Sequence, residues 1–135
     1  MSRNIFTKNK DVLVLISRLI IGGIFINAGW LKISDMAQTI GFFQTLGIPA
    51  FLAYIVGYAE FIGGVLLVLG LFVEMSVLVL AIIMIVAVCL TRGGGVQMFG
   101  LPLTMLAALL LAGISGPGRY ALRLKKRDEA IASNL

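Results

Sequence analysis

Four apolar stretches occupy most of this chain of 135 residues, and two of them hold ionisable side chains well inside: Arg18 in the first and Glu60 in the second. A run of about 20 apolar residues is the length needed to cross the hydrocarbon core of a bilayer as a helix. A charge at the middle of such a helix costs about 2.5–3.5 kcal/mol on insertion scales, so it faces a partner, a cavity or a ligand. The chain is therefore read as an all-α, polytopic membrane protein with polar elements in its interior. With 60% hydrophobic residues, 13% charged ones and a mean hydropathy of +1.08, a soluble domain of this length has no means of hiding its apolar surface.

The spans fall at about 12–31, 50–73, 75–91 and 98–115, within one transmembrane domain over 1–135. Between the first two, Ser34 and Asp35 are capping residues for a short helix over about 36–46, which carries Phe42, Phe43 and Leu46 and lies in the membrane interface. Gly47 and Pro49 end it. The expected architecture is a four-transmembrane-helix bundle with that interfacial helix between spans one and two. Glu74 is expected in a tight turn that makes spans two and three antiparallel neighbours.

Charge sets the orientation. Of the net charge of +5, most lies outside the spans: Arg3, Lys8 and Lys10 precede the first, and Arg119, Arg123, Lys125, Lys126 and Arg127 follow the last. Only Lys32 and Arg92 lie in the loops on the other side. The positive-inside rule puts both termini in the cytoplasm of a cell (cytoplasmic or inner) membrane, with a basic cytoplasmic tail over 119–135. That tail suits anionic lipid heads, and nucleic acid is not an expected partner. The basic start followed by an apolar run resembles a secretory signal, but spanning length and the lack of a small-x-small site in a polar setting make it an uncleaved helix.

The single cysteine and the absence of histidine exclude an intramolecular disulfide, and a His-ligated haem or His/Cys zinc site within this chain. No metal site and no intrinsic cofactor are expected. Cys89 is read as a small apolar core residue.

At 100° per residue, Arg18, Gly22, Gly29 and Lys32 fall within about 80° of one another, and Ala53, Gly57, Glu60 and Gly64 within about 60°. Small residues at that spacing let helices approach closely in lipid, so Gly22, Gly29, Gly57 and Gly64 are the expected packing surface between spans one and two. Along straight axes Glu60 lies about 10 Å from the level of either Arg18 or Lys32, which leaves its partner open. The bland reading is a charge network that orients two helices. The sharper one is a site for a polar head group, such as a quinone ring, built on Arg18, Lys32 and Glu60 and walled by Tyr54 and Tyr58. The ordinary reading of Trp30, Tyr54 and Tyr58 is an aromatic belt at the membrane surface.

These stretches together resemble the DoxX family of small membrane proteins. The matching residues are the Arg18–Gly22–Phe25–Gly29–Lys32 string, Leu46-Gly47-Ile48-Pro49, Gly57-x-x-Glu60-x-x-Gly63-Gly64 with Gly70, the glycines 93–95, and Gly116-Pro117-Gly118-Arg119-Tyr120. The resemblance implies a four-helix bundle and a link to respiratory or thiol redox chemistry, since some members are subunits of quinone oxidoreductases. This sequence departs from the family at Gln97, where relatives often carry an acid, and at Ala121-Leu122-Arg123. The functional expectation is an accessory or quinone-contacting subunit of a membrane-associated oxidoreductase complex, with a redox-enzyme partner or a homo-oligomer as its assembly. The alternatives are a small-molecule or lipid carrier, and a structural or assembly factor for a membrane complex.

Overall fold

The computed structural model describes residues 5–116. Expectations for Arg3, for the Pro117–Tyr120 part of the last motif and for the basic tail lie outside the described residues. A single turn, α1 (Ile5–Lys8), leads through Asn9 into α2 (Lys10–Ser34). Then follow α3 (Met36–Thr45), α4 (Ala50–Leu69), α5 (Val73–Thr91), a 3-10 turn (Arg92–Gly94) and α6 (Val96–Ser115). No strand occurs among the described residues. Helices α2, α4, α5 and α6 are long and apolar enough to cross a membrane. At most 33% of the most apolar window of any of them is buried, so their outer faces, such as Leu111 and Leu78, have lipid as their solvent.

The four long helices form a ring in the order α2, α4, α5, α6 and back to α2, with no close backbone approach across either diagonal among the described residues. Phe25, Leu67, Leu80, Met84, Met105 and Leu109 fill the centre. The start of α2, the α4–α5 turn and the end of α6 share one end of the bundle, called proximal below. Helix α3 and the 3-10 turn lie at the distal end.

The tightest seam is between α2 and α4, and glycine makes it possible. A Cβ at Gly64 would lie 2.7 Å from both Gly22 O and Ile26 N, and one at Gly29 would press on Phe61 N and come within 2.8 Å of Gly57 O. The backbones therefore touch directly, which in lipid replaces the missing hydrophobic drive with dispersion contacts.

Several boundaries differ from the sequence reading: α2 runs from Lys10 to Ser34, so Ser34 ends it instead of capping α3, and α6 starts at Val96. Hydropathy carries span two on to residue 73, but α4 stops at Leu69 because Gly70 adopts a left-handed φ of 79°. Its N–H donates to Leu66 O and Leu67 O, and Leu71 N–H donates to Leu66 O at 3.0 Å, a Schellman closure. The turn is thus Gly70–Leu71–Phe72, and Glu74, expected in it, sits in the first turn of α5, where the helix dipole favours a negative charge. At the other end Asp35 caps α3, its side chain accepting from Gln38 N–H at 3.2 Å. Cys89, read as a core residue, is exposed on α5, where lipid solvates a thiol as well as a core does.

Candidate functional site

Lys32 lies in the last turn of α2, near carbonyls whose dipole favours a cation. Its stem passes over Gly57, where a Cβ would sit in ordinary van der Waals contact 3.4 Å from Lys32 Cβ. Nζ then donates to Glu60 Oε2 at 2.8 Å. The lysine turns inward along the bundle instead of toward the membrane surface. The Glu60 side chain is 3% exposed and that of Lys32 27%, so the accessible member of the pair is the cation. Helix α3 is tied to this point, because Thr39 Oγ1 donates to Lys32 O and Asp35 O, both at 3.1 Å.

Arg18 belongs to a different place. It is buried toward the proximal end, where Nη1 donates to Leu67 O at 2.9 Å and Val68 O at 3.2 Å. These carbonyls belong to the last turn of α4, where Leu67 O also accepts from Gly70 N–H, so the guanidinium helps to cap α4 from α2. The structure thus separates the three charges into a Lys32–Glu60 pair and an Arg18 cap.

Tyr54 and Tyr58 do not join the pair. Both are half-exposed, and neither lines the cavity described below, so the structure does not bring them together with the pair. Helical geometry gives the reason: they lie about 120° and 160° around α4 from Glu60. Trp30 is likewise exposed, its ring 6.3 Å from that of Phe61. Trp30 and Tyr54 stand toward the distal ends of α2 and α4, where belt residues are expected, and Tyr58 stands near the middle of α4. Asn27 is exposed as well.

A cavity of about 620 Å³ fills the distal half of the bundle. Phe25, Met84 and Met105, all core residues, are at its inner end, and Phe42, Phe43 and Leu46 of α3 form part of its rim. Lys32 and Glu60 line one side. The lining is otherwise apolar except for Thr91 and Gln97, at the distal ends of α5 and α6. Thr91 Oγ1 donates to Ala87 O, leaving its oxygen free to accept. Sequence reasoning passes over Thr39 and Thr91 and treats Gln97 only as a departure from a pattern. Their one signal is a hydroxyl or amide at the end of an apolar helix. Among the described residues no three His, Cys, Asp or Glu side chains come together to hold a metal ion.

This arrangement can hold a polar group against a cation inside an apolar chamber. Pockets for small ligands are commonly about 300–1,000 Å³, apolar, with a few placed polar groups.

The DoxX family model matches residues 13–93, which contain α3 and α4, all but the start of α2, and α5. Inner membrane protein YqjF of Escherichia coli (strain K12) is 32% identical over 120 residues, 85% of this chain and 92% of that one. The uncharacterized membrane protein Rv3486 of Mycobacterium tuberculosis is 36% identical over 137 aligned positions, covering 87% of this chain and 84% of that protein. CatD of Bacillus subtilis (strain 168), whose name carries a proposed oxidoreductase activity, is 42% identical over 64 residues, 47% of this chain and 48% of its own. No solved structure matches the chain at a significant level. With four membrane-length helices and a family match across most of three of them, the chain belongs to the DoxX family of membrane proteins.

Proposed function

We propose that this chain is an accessory subunit of a membrane oxidoreductase complex, and that it contacts a quinone through the Lys32–Glu60 pair. The observation that carries the reading is that pair on the wall of an otherwise apolar cavity of ligand size. An ammonium group has three N–H donors, and one is taken by Glu60 Oε2, which leaves two for a ring carbonyl. Glu60 balances the lysine charge, so the site offers hydrogen-bond donors without demanding an anionic ligand. A bound quinone would supply a two-electron, two-proton acceptor. This chain would orient the ring, exclude water with Phe25, Met84 and Met105, and hold a proton at Lys32 Nζ or Glu60 Oε2. The proposed oxidoreductase activity in the name of CatD supports the same reading.

The proposed setting is the inner membrane, as in the name of YqjF, with both termini in the cytoplasm by the excess of Lys and Arg there. The test is purification from native membranes in mild detergent, followed by native mass spectrometry and extraction of bound lipids. A stoichiometric redox enzyme with retained quinone is the expected result. A bare chain or homodimer carrying phospholipid alone overturns it, and favours a carrier or an assembly factor.

A further inference from the structure

The cavity is not closed to lipid. On α5 its lining runs from Ile82 to Thr91, about 14 Å of helix axis, which is about one leaflet of a hydrocarbon core about 30 Å thick. Four apolar lining residues of the long helices are at least half exposed: Ile55 of α4, 56%, Ile82 and Val86 of α5, 54% and 50%, and Leu101 of α6, 64%; three of the four flank the α4–α5 seam. Ile55 continues the exposed row Phe51, Tyr58 and Ile62, and Ile82 and Val86 continue Met75 and Leu78. A side chain that lines a chamber and also faces lipid marks a gap in the chamber wall.

The fold accounts for a gap between α4 and α5. The three-residue turn at the proximal end holds these helices together there, and Gly63 lets Leu80 pack close, with its Cγ 3.1 Å from where a glycine Cβ would be. Beyond that point Ile55 and Val56 of α4 and Ile82 and Val86 of α5 line the cavity and are not part of the core. The two helices are joined by the turn at the proximal end and border the cavity toward the distal one.

We infer that the ligand of this cavity is a bilayer-resident amphiphile, whose head accepts hydrogen bonds from Lys32 and whose apolar tail leaves sideways between α4 and α5 into the distal leaflet. The inference rests on the proposed quinone site for the identity of the head, but the tail route stands on the cavity wall alone. A long-tailed quinone and a phospholipid share the required chemistry. A small water-soluble metabolite does not, because it gains nothing from an apolar cleft that opens on hydrocarbon.

The route is tested in lipid nanodiscs of phosphatidylethanolamine and phosphatidylglycerol with two probes: decylubiquinone, and the same dimethoxy-methyl-benzoquinone ring without its tail. Val86→Trp and Ile55→Trp place bulk at the cleft, and Leu78→Trp places it on the lipid face outside the cavity. All three positions are half-exposed or more, so core packing is untouched. Partitioning into lipid is common to all variants and cancels in the comparison. The expected result is a loss of at least fivefold in decylubiquinone binding for both cleft variants, with tail-less binding and the Leu78→Trp control unchanged. Equal effects on both probes, or none on the tailed one, overturn the route. So does a loss confined to Leu101→Trp, which would move the exit to the α2–α6 flank. If the wild type binds neither quinone, the proposed function fails by itself, and phospholipid retained through detergent purification then decides the route. Fivefold less in the cleft variants than in Leu78→Trp supports it, and equal retention overturns it.

Discussion

Lys32 Nζ lies 2.8 Å from Glu60 Oε2 because the lysine stem runs inward over Gly57 toward the middle of the bundle. A lysine this close to the end of a membrane helix ordinarily extends its ammonium toward the surface. Here the carboxylate of the next helix holds it in the opposite direction. The result places a partly accessible cation inside an apolar chamber.

Breaking this pair from one side leaves a buried charge. Lys32→Met is expected to destabilise the protein by about 3 kcal/mol, in the range for removing one partner of a buried ion pair. The double variant Lys32→Met with Glu60→Gln recovers most of that loss, because the uncompensated carboxylate is gone. Equilibrium unfolding in mixed micelles reads both, and strict additivity of the two single changes contradicts the pairing.

The α2–α4 seam sorts glycine substitutions by what a methyl group meets. Gly64→Ala and Gly29→Ala drive a Cβ into backbone atoms of the facing helix, and both are expected to lower the thermal midpoint by several degrees or prevent folding. At Gly57 the nearest neighbours are side-chain carbons at 3.4 Å and beyond, so Gly57→Ala is expected to stay within a degree or two of wild type. Thermal aggregation monitored by size exclusion checks the contrast.

How far the sequence reaches is clear from these residues. A helix face follows from 100° per residue, so the glycines that meet across the seam stand out in the sequence as two stripes. The partner of Glu60 is not visible in that way. Axial distance puts Arg18 and Lys32 at similar reach, and the choice depends on a local fact: the carbonyls of Leu67 and Val68 engage the arginine, which leaves the lysine to the carboxylate. The cavity is less legible still, because its lining is drawn from all four long helices and α3, and periodicity carries no information on how far apart helices stand. The end of span two escapes the sequence for a simpler reason: the residues after Gly70 are as apolar as those before it, so hydropathy does not register the turn.

Arg18 serves α4 and not the cavity. Arg18→Met removes two charge-assisted bonds to the carbonyls of Leu67 and Val68, each worth about 1.5–3 kcal/mol in general, and is expected to destabilise the fold. Any folded fraction should bind a quinone probe with wild-type affinity. A selective loss of binding with stability intact would place Arg18 in the site after all.

Tyr54→Phe and Tyr58→Phe are expected to leave ligand binding unchanged, since both rings face away from the cavity. Titration of both variants with the same probe checks this, and a tenfold loss in either contradicts the lipid-facing placement.

The most direct measurement is a quinone titration of the wild type against the charge-neutral double variant Lys32→Met with Glu60→Gln, in nanodiscs, using decylubiquinone. The double variant keeps the chamber nearly the same shape and removes its cation without leaving a buried charge. Saturable binding by the wild type, weakened at least tenfold in the double variant, is the expected result. Equal binding by both, or none by the wild type, contradicts the assignment of the Lys32–Glu60 pair as the head-group site.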